Sequence, residues 1–564
     1  MSRMQIRDGL VWCDSQRQLA TTNAASLWEN AAKLYTIARR FLPKEGYMRK
    51  SAMSVLVLIM SLWLVSSIEA ASAQPKRGGT ITLGISKELA LMNPLVNTSS
   101  TESRIRDLMY EPLLARDSKG AIQPRLAESW EVSKDGKLYT FKLRKNVKFH
   151  NGKEMTADDI KFAVDYTLNP KNGAYGFEDL NAVDRAEAAD KYTLKIHMKR
   201  HNPLLLTLLT EIRSFSAIPN ESLPEGLRKP TTFPPGTGPF KFVEWQPGQR
   251  IVFERHDDYW GHKAYVDRVI MREIGDNTVR FTALQSGDVD LIERTPYEWV
   301  QQITQGKIKG VGIAKAARAG ARNLEFNVAD PPFNNKKLRQ AIAYAIDKKE
   351  IMQAAYFGLA DTADQRFPSG HFWYFKDVPA PRFDANKAKA LLKEAGYNGE
   401  TLELMGNRGE VADIEGAAIQ AQLKRVGVKV ELKILERASA LELRRQGKYM
   451  FKLAGGSDYP DPLPAYEEYA CEPDPQKRRL NESGYCDKEY DALLKKAEGE
   501  VDLEKRKAIF KQVVAKLTDD LPIVVIGFTP RFFTFRSHIK NFATNASGDF
   551  EPWGAGLSHA WIDK

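Results

Sequence analysis

The chain has 564 residues, 43 % of them hydrophobic, and a formal charge of +11. That length supports two or three domains, and the apolar content excludes general disorder. The basic residues are dispersed among acids without a run of five like charges, which argues for a solvated basic surface and against a nucleic-acid-binding tract.

In chain order, the first feature is the apolar stretch "MRKSAMSVLVLIMSLWLVSSIEAASAQ" from Met48. Arg49 and Lys50 form a positive region, Val55 to Val65 an apolar core, and Ala71-Ser72-Ala73 a small-x-small cleavage site before Gln74. This reads as a secretory signal peptide over 48–73, the core being short for a membrane span; a single transmembrane anchor is the alternative. Residues 1–47 then read as an upstream extension from a start placed too early, with Met48 the true start. No cysteine follows the cleavage site, which argues against lipidation there. Removing residues 1–73 leaves a charge of roughly +7. Of three cysteines, Cys13 lies in the extension, so Cys471 and Cys486 form an even pair in an exported chain. A disulfide is expected between them, with two buried thiols as the alternative.

"RGGTITLGI" (Arg77–Ile85) alternates and predicts a first strand. "GKLYTFKLRKNVKF" puts Tyr139, Phe141, Leu143, Val147 and Phe149 on one parity, and "MTADDIKFAVDYTL" starts a helix with Thr156 and Asp159 spaced as a capping box. "DKYTLKIHMKR" alternates again, so Leu113 to about Pro230 is expected to form one α+β unit. "FPPGTGPFKFVEW" is a Pro/Gly turn leading into strands, and "NTVRFTALQSGDVDLI" reads helix, turn, strand. "DANKAKALLKEAGY" is a helix capped by Asp384 and stopped by Gly396. "TLELMGN", "DIEGAAIQAQLKRV" and "GVKVELKIL" form a β-α-β unit, which argues for a parallel sheet. An amphipathic helix over 502–518 and a buried strand "LPIVVIGF" follow.

No catalytic constellation emerges. GxxxxGK[ST], GxSxG and HExxH are absent, and "PPGTGPF" has no Lys-Ser/Thr and opens no helix. His197 and His201 are four apart in an alternating strand and read as surface histidines. Asp257-Asp258 and Asp158-Asp159 sit beside turns or helix starts, where capping and solvation explain them. Neither an enzyme nor a cofactor or metal site is expected.

Several stretches together resemble one family: "YEPLLARD" (Tyr110–Asp117), the block Ile122–Ala163, "GTGPFKFVEW" (Gly236–Trp245), "ERHDDYWG" (Glu254–Gly261), "PPFNNKKLRQAIAYAID" (Pro331–Asp347), "KAKALLKEAGY" (Lys387–Tyr397) and "DYPDP" (Asp458–Pro462). The chain is similar to the family 5 extracellular solute-binding proteins of bacterial ABC importers, the dipeptide- and oligopeptide-binding group. That resemblance implies an α/β, two-lobed periplasmic-binding-protein (flytrap) fold with an additional inserted α+β domain. Lobe I would hold 74–112, 231–324 and 526–564, the inserted domain 113–230 and lobe II 325–525. It implies a periplasmic monomer that takes a small peptide or peptide-like ligand between closing lobes and docks on ABC permease subunits.

The resemblance also implies site residues. In "KLAGGSDYPDPL" (Lys452–Leu463), the aspartate that meets a peptide's α-ammonium group corresponds to Asp458, beside Tyr459. A turn aspartate bonding nearby backbone is the alternative. Gly455 stands where peptide binders often carry Trp, which leaves space for a different ligand shape. Lys452 falls where some oligopeptide binders have an arginine for the carboxylate end. Asn327 in "LEFN" and Asn407 and Arg408 after "TLELMG" would face the cleft, with capping and solvation as their alternatives. Trp373 and Tyr374 in "SGHFWYF" would form a pocket wall, or pack beneath a loop. Thr98–Thr101 lies where the first cleft segment would pass. An oligosaccharide or opine-like conjugate is the second ligand class, and a secreted hydrolase or periplasmic chaperone a different functional class.

Overall fold

The computed structural model describes residues 74–563, except 88–91, 97–99, 117–120, 178–179, 213–214, 221, 225–231, 409–410, 457–460, 473–480, 546–548 and 551–553. The expected signal peptide and upstream extension lie outside the described residues. Among those described, no helix is long and apolar enough to cross a membrane.

One large mixed sheet organises the molecule. Its first half contains Thr80–Ile85, parallel to both Arg268–Glu273 and Leu291–Ile292, with the antiparallel strands Arg250–Arg255 and Phe240–Gln246 beyond. Alternation buries Ile81, Leu83 and Ile85 completely, as the sequence pattern requires. Its second half contains Thr401–Asn407, parallel to Lys429–Leu435 and to Phe451–Gly456. Helix Ala412–Arg425 joins the first two of these strands, so the expected β-α-β unit is present.

Two long antiparallel strands, Val311–Phe326 and Ile523–Arg536, run through both halves. The first pairs with Phe451–Gly456 over Ala321–Phe326, and the second with Leu291–Ile292 over Thr534–Phe535. "LPIVVIGF" is therefore only the start of a longer strand. Between the halves the ladder is interrupted: Ala316 pairs with Arg531 and Gly320 with Thr529, so three residues oppose Pro530 alone. Proline has no N–H to give the ladder, and an irregularity of this kind tolerates it.

A separate four-stranded antiparallel sheet, in the order Ala127–Val132, Leu138–Leu143, Thr193–Met198, Val183–Asp190, falls in sequence between Ile85 and Phe240. Tyr139, Phe141, Leu143, Val147 and Phe149 are all buried, as their shared parity predicts. Helix Ala157–Leu168 begins at the predicted box: the Asp159 carboxylate accepts from Thr156 N at 2.8 Å and Thr156 Oγ1 at 2.9 Å. Asp384 caps helix Ala385–Ala395, and Gly396 ends it at φ +73°.

The glycines of "PPGTGPF" are packing residues. A Cβ on Gly236 would lie 1.9 Å from Met109 O, and one on Gly238 2.7 Å from Leu108 O. Only glycine permits that backbone approach. Cys471 and Cys486 form the expected disulfide. His197 pairs with Glu187 at 2.8 Å, while His201 is half-buried against Gly136 rather than lying on the surface.

Candidate functional site

The site is defined by where parallel strands end. In the second half, the carboxyl ends of the parallel strands are Asn407, Leu435 and Gly456. In the first half they are Ile85, Glu273 and Ile292. Both edges converge on the interrupted crossing. Gly456 pairs with Ala321, which pairs with Phe528; on the other side Thr295 N donates to Phe532 O. Phe528 and Phe532 are four residues apart on one strand, about 13 Å at ~3.3 Å per residue. The carboxyl edges of such strands are where open α/β sheets bind ligands.

On the second-half edge, Asp458 and Tyr459 lie outside the described residues, and the residues on either side of them are described. Upstream, Gly455 and Gly456 are in register with Arg322 and Ala321. A Cβ on Gly456 would sit 3.2 Å from Ala321 Cβ and 3.4 Å from both Asn323 Nδ2 and Arg366 Nη2, whereas one on Gly455 would meet only ordinary contacts beyond 3.6 Å. Downstream, Asp461 caps helix Pro462–Glu467 by accepting from Leu463 N at 2.9 Å. Its carboxylate also receives the buried Arg506 guanidinium at 2.5 and 2.8 Å, a bidentate charge-assisted pair. The sequence pattern singled out Asp458 and passed over Asp461. Only the chain's return at Arg506 reveals the second aspartate as the loop's anchor.

Trp373 belongs to that anchor. It is 5 % exposed, edge-on to Phe510 with centroids 5.5 Å apart, and its ring lies 5.5 Å from Arg506 Cζ. Tyr374 is half-buried. Lys452 is buried and its ammonium pairs with Glu325 at 2.8 Å and Glu482 at 2.9 Å. Burial alone would lower its pKa, but those two carboxylates hold it above the ordinary lysine value. Asn327 is buried, and its Nδ2 donates to Asp330 Oδ2, Gly447 O and Tyr449 O at 3.0–3.1 Å. Arg408 is exposed and pairs with Glu436 at 2.9 Å, and Asn407 beside it is half-buried. Thr98 and Ser99 lie outside the described residues; Ser100 and Thr101 open helix Ser100–Arg106. The structure thus brings Gly455, Gly456, Asn407 and Arg408 to strand ends. It engages Lys452, Asn327 and Trp373 in interior contacts.

Two groups that carry no sequence signal also lie here. Asn323 is 2 % exposed, and its Oδ1 has no hydrogen-bond partner among the described residues. A buried amide oxygen left unpaired is uncommon and costly, which makes it a candidate for a ligand N–H. Next to it, Arg322 pairs with the fully buried Glu415, which also accepts from Tyr356 Oη at 2.7 Å. The Tyr356 ring meets Tyr297 edge-on at 5.0 Å, and Tyr297 Oη donates to Pro530 O. This chain of contacts ties both halves together at the crossing.

On the first-half edge, Glu293 is fully buried. Its Oε1 accepts from Ser86 N at 2.9 Å and Ser86 Oγ at 2.6 Å, and its Oε2 lies 3.2 Å from Arg104 Nη2. Burial opposes its ionisation, but Arg104, Arg294 and the Ser86 bonds outweigh this and hold the carboxyl at about 2. Arg294 follows in a left-handed conformation, φ +54°, which a non-glycine residue seldom adopts. Among the described residues, no group of three or more His, Cys, Asp or Glu could hold a metal ion.

A large mixed sheet whose halves share two crossing strands, with strand ends meeting at the crossing, defines a two-lobed α/β binding protein. The sequence profile "Bacterial extracellular solute-binding proteins, family 5 Middle" matches residues 121–476, and the chain belongs to that family. It is 29 % identical to the dipeptide-binding protein of Escherichia coli K12, over 89 % of this chain and 98 % of that one. The structure of the periplasmic binding protein DppA from Helicobacter pylori in complex with the peptide STSA superposes with a TM-score of 0.73 at 26 % identity. That match covers 88 % of this chain and all of that one. AgaA from A. tumefaciens R10 in complex with agropinic acid superposes with a TM-score of 0.71 at 29 % identity, covering 86 % and 99 %.

Proposed function

We propose that this protein captures di- or oligopeptides, or peptide-like solutes, between its two lobes and delivers them to the membrane subunits of an ABC importer. The proposed lobes are 74–112, 231–324 and 526–564 for the first and 325–525 for the second, with 113–230 as the inserted domain. The protein acts as a periplasmic monomer, exported by a signal peptide cleaved after Ala73, and it catalyses no reaction.

The observation that carries the reading is the pair of described segments that flank residues 457–460. They are the strand end Gly455–Gly456, in register with Arg322 and Ala321, and Asp461, whose carboxylate receives the Arg506 guanidinium. Asp458 is assigned to the ligand's α-ammonium group. The unpaired Oδ1 of Asn323 would receive a ligand backbone N–H, in the manner of peptide capture along a strand edge. Asp458→Ala is expected to weaken binding of a short peptide by about 2–5 kcal/mol in calorimetry, the usual cost of breaking a buried charge pair. Unchanged affinity would remove the ammonium role.

Gly455 favours a second reading. A Cβ there meets only ordinary contacts, so the strand end leaves open the space that a larger side chain would fill. With the likeness to AgaA, this supports an opine-like conjugate; an oligosaccharide is the other non-peptide solute. An oligosaccharide would depend little on Asp458.

A further inference from the structure

We propose that residues 200–204 are a strap through which the four-stranded domain holds the second half, and that lobe opening parts Arg200 from Glu498 and draws Leu204 out of the second-half core. This rests on the reading of two closing lobes, with 113–230 carried by the first, and not on the identity of the ligand.

Core membership sets Leu204 apart. The four-stranded sheet and the first half of the large sheet share one apolar cluster, which holds Tyr139 and Phe141 together with Ile81 and Leu83. Leu204 is 8 % exposed, yet it belongs to a different cluster, with Phe367, Trp373, Tyr466 and Phe510 of the second half. Half-buried Leu208, one helical turn on, packs against both clusters.

The local chain is built to make this reach. Tyr139 Oη donates to Asn202 O at 3.3 Å, and His201 lies so close to the turn at Gly136 that a Cβ there would be 2.1 Å from its Nδ1. Those contacts hold 201–202 on the four-stranded sheet. Asn202 Oδ1 accepts from Leu204 N at 2.9 Å across Pro203, a turn of restricted backbone that presents Leu204 to the other cluster. Arg200 donates to Asn181 Oδ1 at 3.2 Å on its own side and forms an ion pair with Glu498 of the second half. Glu498 follows Ala497, whose carbonyl accepts from Arg506 Nε at 3.0 Å, so the strap lands beside the Arg506–Asp461 pair.

The halves are joined covalently by the two crossing strands, and a rotation about them slides or parts a contact made elsewhere. Leu204 and Arg200 lie on neither strand. Exposing a buried leucine costs more than separating a solvated ion pair, so Leu204 supplies the strength of the strap and Arg200 its register. The strap thereby favours the closed arrangement before any ligand contributes.

The mature chain has two cysteines, both in the disulfide. Cysteines introduced as Arg200→Cys/Glu498→Cys are then its free thiols, and a bismaleimide can bridge them to lock the strap. Small-angle X-ray scattering compares this bridged form with Leu204→Gln and Glu498→Arg, all mature and freed of bound ligand. Both variants are expected to have a larger radius of gyration than the bridged form, each with a cooperative melting transition. The exchanged pair Arg200→Glu/Glu498→Arg is expected to return towards the wild type. If Leu204→Gln loses its transition, Glu498→Arg decides. Equal radii in the locked and loosened forms overturn the proposal, since a contact that persists through opening gives one shape in both. Unequal radii support it whether or not a peptide binds. Wild-type scattering with and without Ala-Ala-Ala separates the two readings. A radius that shrinks with the tripeptide, beside equal radii in the other comparison, removes the strap and leaves lobe closure standing; no change in either removes both.

Discussion

Asn323 separates the demands of folding from those of binding. Its side chain is buried on a crossing strand with Oδ1 unpaired, a cost that the folded protein bears without return. Asn323→Ala should therefore leave the melting temperature unchanged or slightly higher. It should weaken ligand binding by about 1 kcal/mol, the net value of one hydrogen bond. Thermal unfolding and calorimetry on the same sample check both; a lowered melting temperature with unchanged affinity would make the residue structural. Lys452 shows the opposite case. Its sequence position suggests a cleft cation, yet Glu325 and Glu482 already pair with its ammonium. A strand position reveals parity, but not which distant carboxylates will meet the side chain.

Among the elements, those governed by local physics were legible from sequence. The Thr156–Asp159 box, the Asp384 cap with Gly396, and the 401–435 β-α-β unit follow from spacing alone. Strand Ile523–Arg536 was legible only at its start, because Pro530 reads as a break. Here it lies where the partner strand is irregular and no ladder N–H is needed. The Cys471–Cys486 disulfide closes a loop of sequence separation 15. The double Cys471→Ser/Cys486→Ser variant should lose about 3 kcal/mol of stability on the loop-entropy model, measured by denaturant unfolding. A loss near zero would mean that the loop is already constrained without the bond.

Across the whole molecule, the binding site is a product of topology. Asp458 could be picked out because its glycines, prolines and neighbouring acid form a contiguous pattern. The Arg104–Glu293 pair could not, since its two residues come from distant segments that meet only in the folded chain. The same topology gives both long strands a part in each half, so a solute bound across the crossing would touch both and favour the closed arrangement. Under the proposed function, this cleft holds a small solute whose cationic amine meets Asp458. Native mass spectrometry of mature protein, beginning at Gln74 and purified without unfolding, tests it most directly, with the released ligand then identified. Short peptides or a peptide-like conjugate carrying an amine are expected. A neutral ligand, such as an unmodified oligosaccharide, would contradict it.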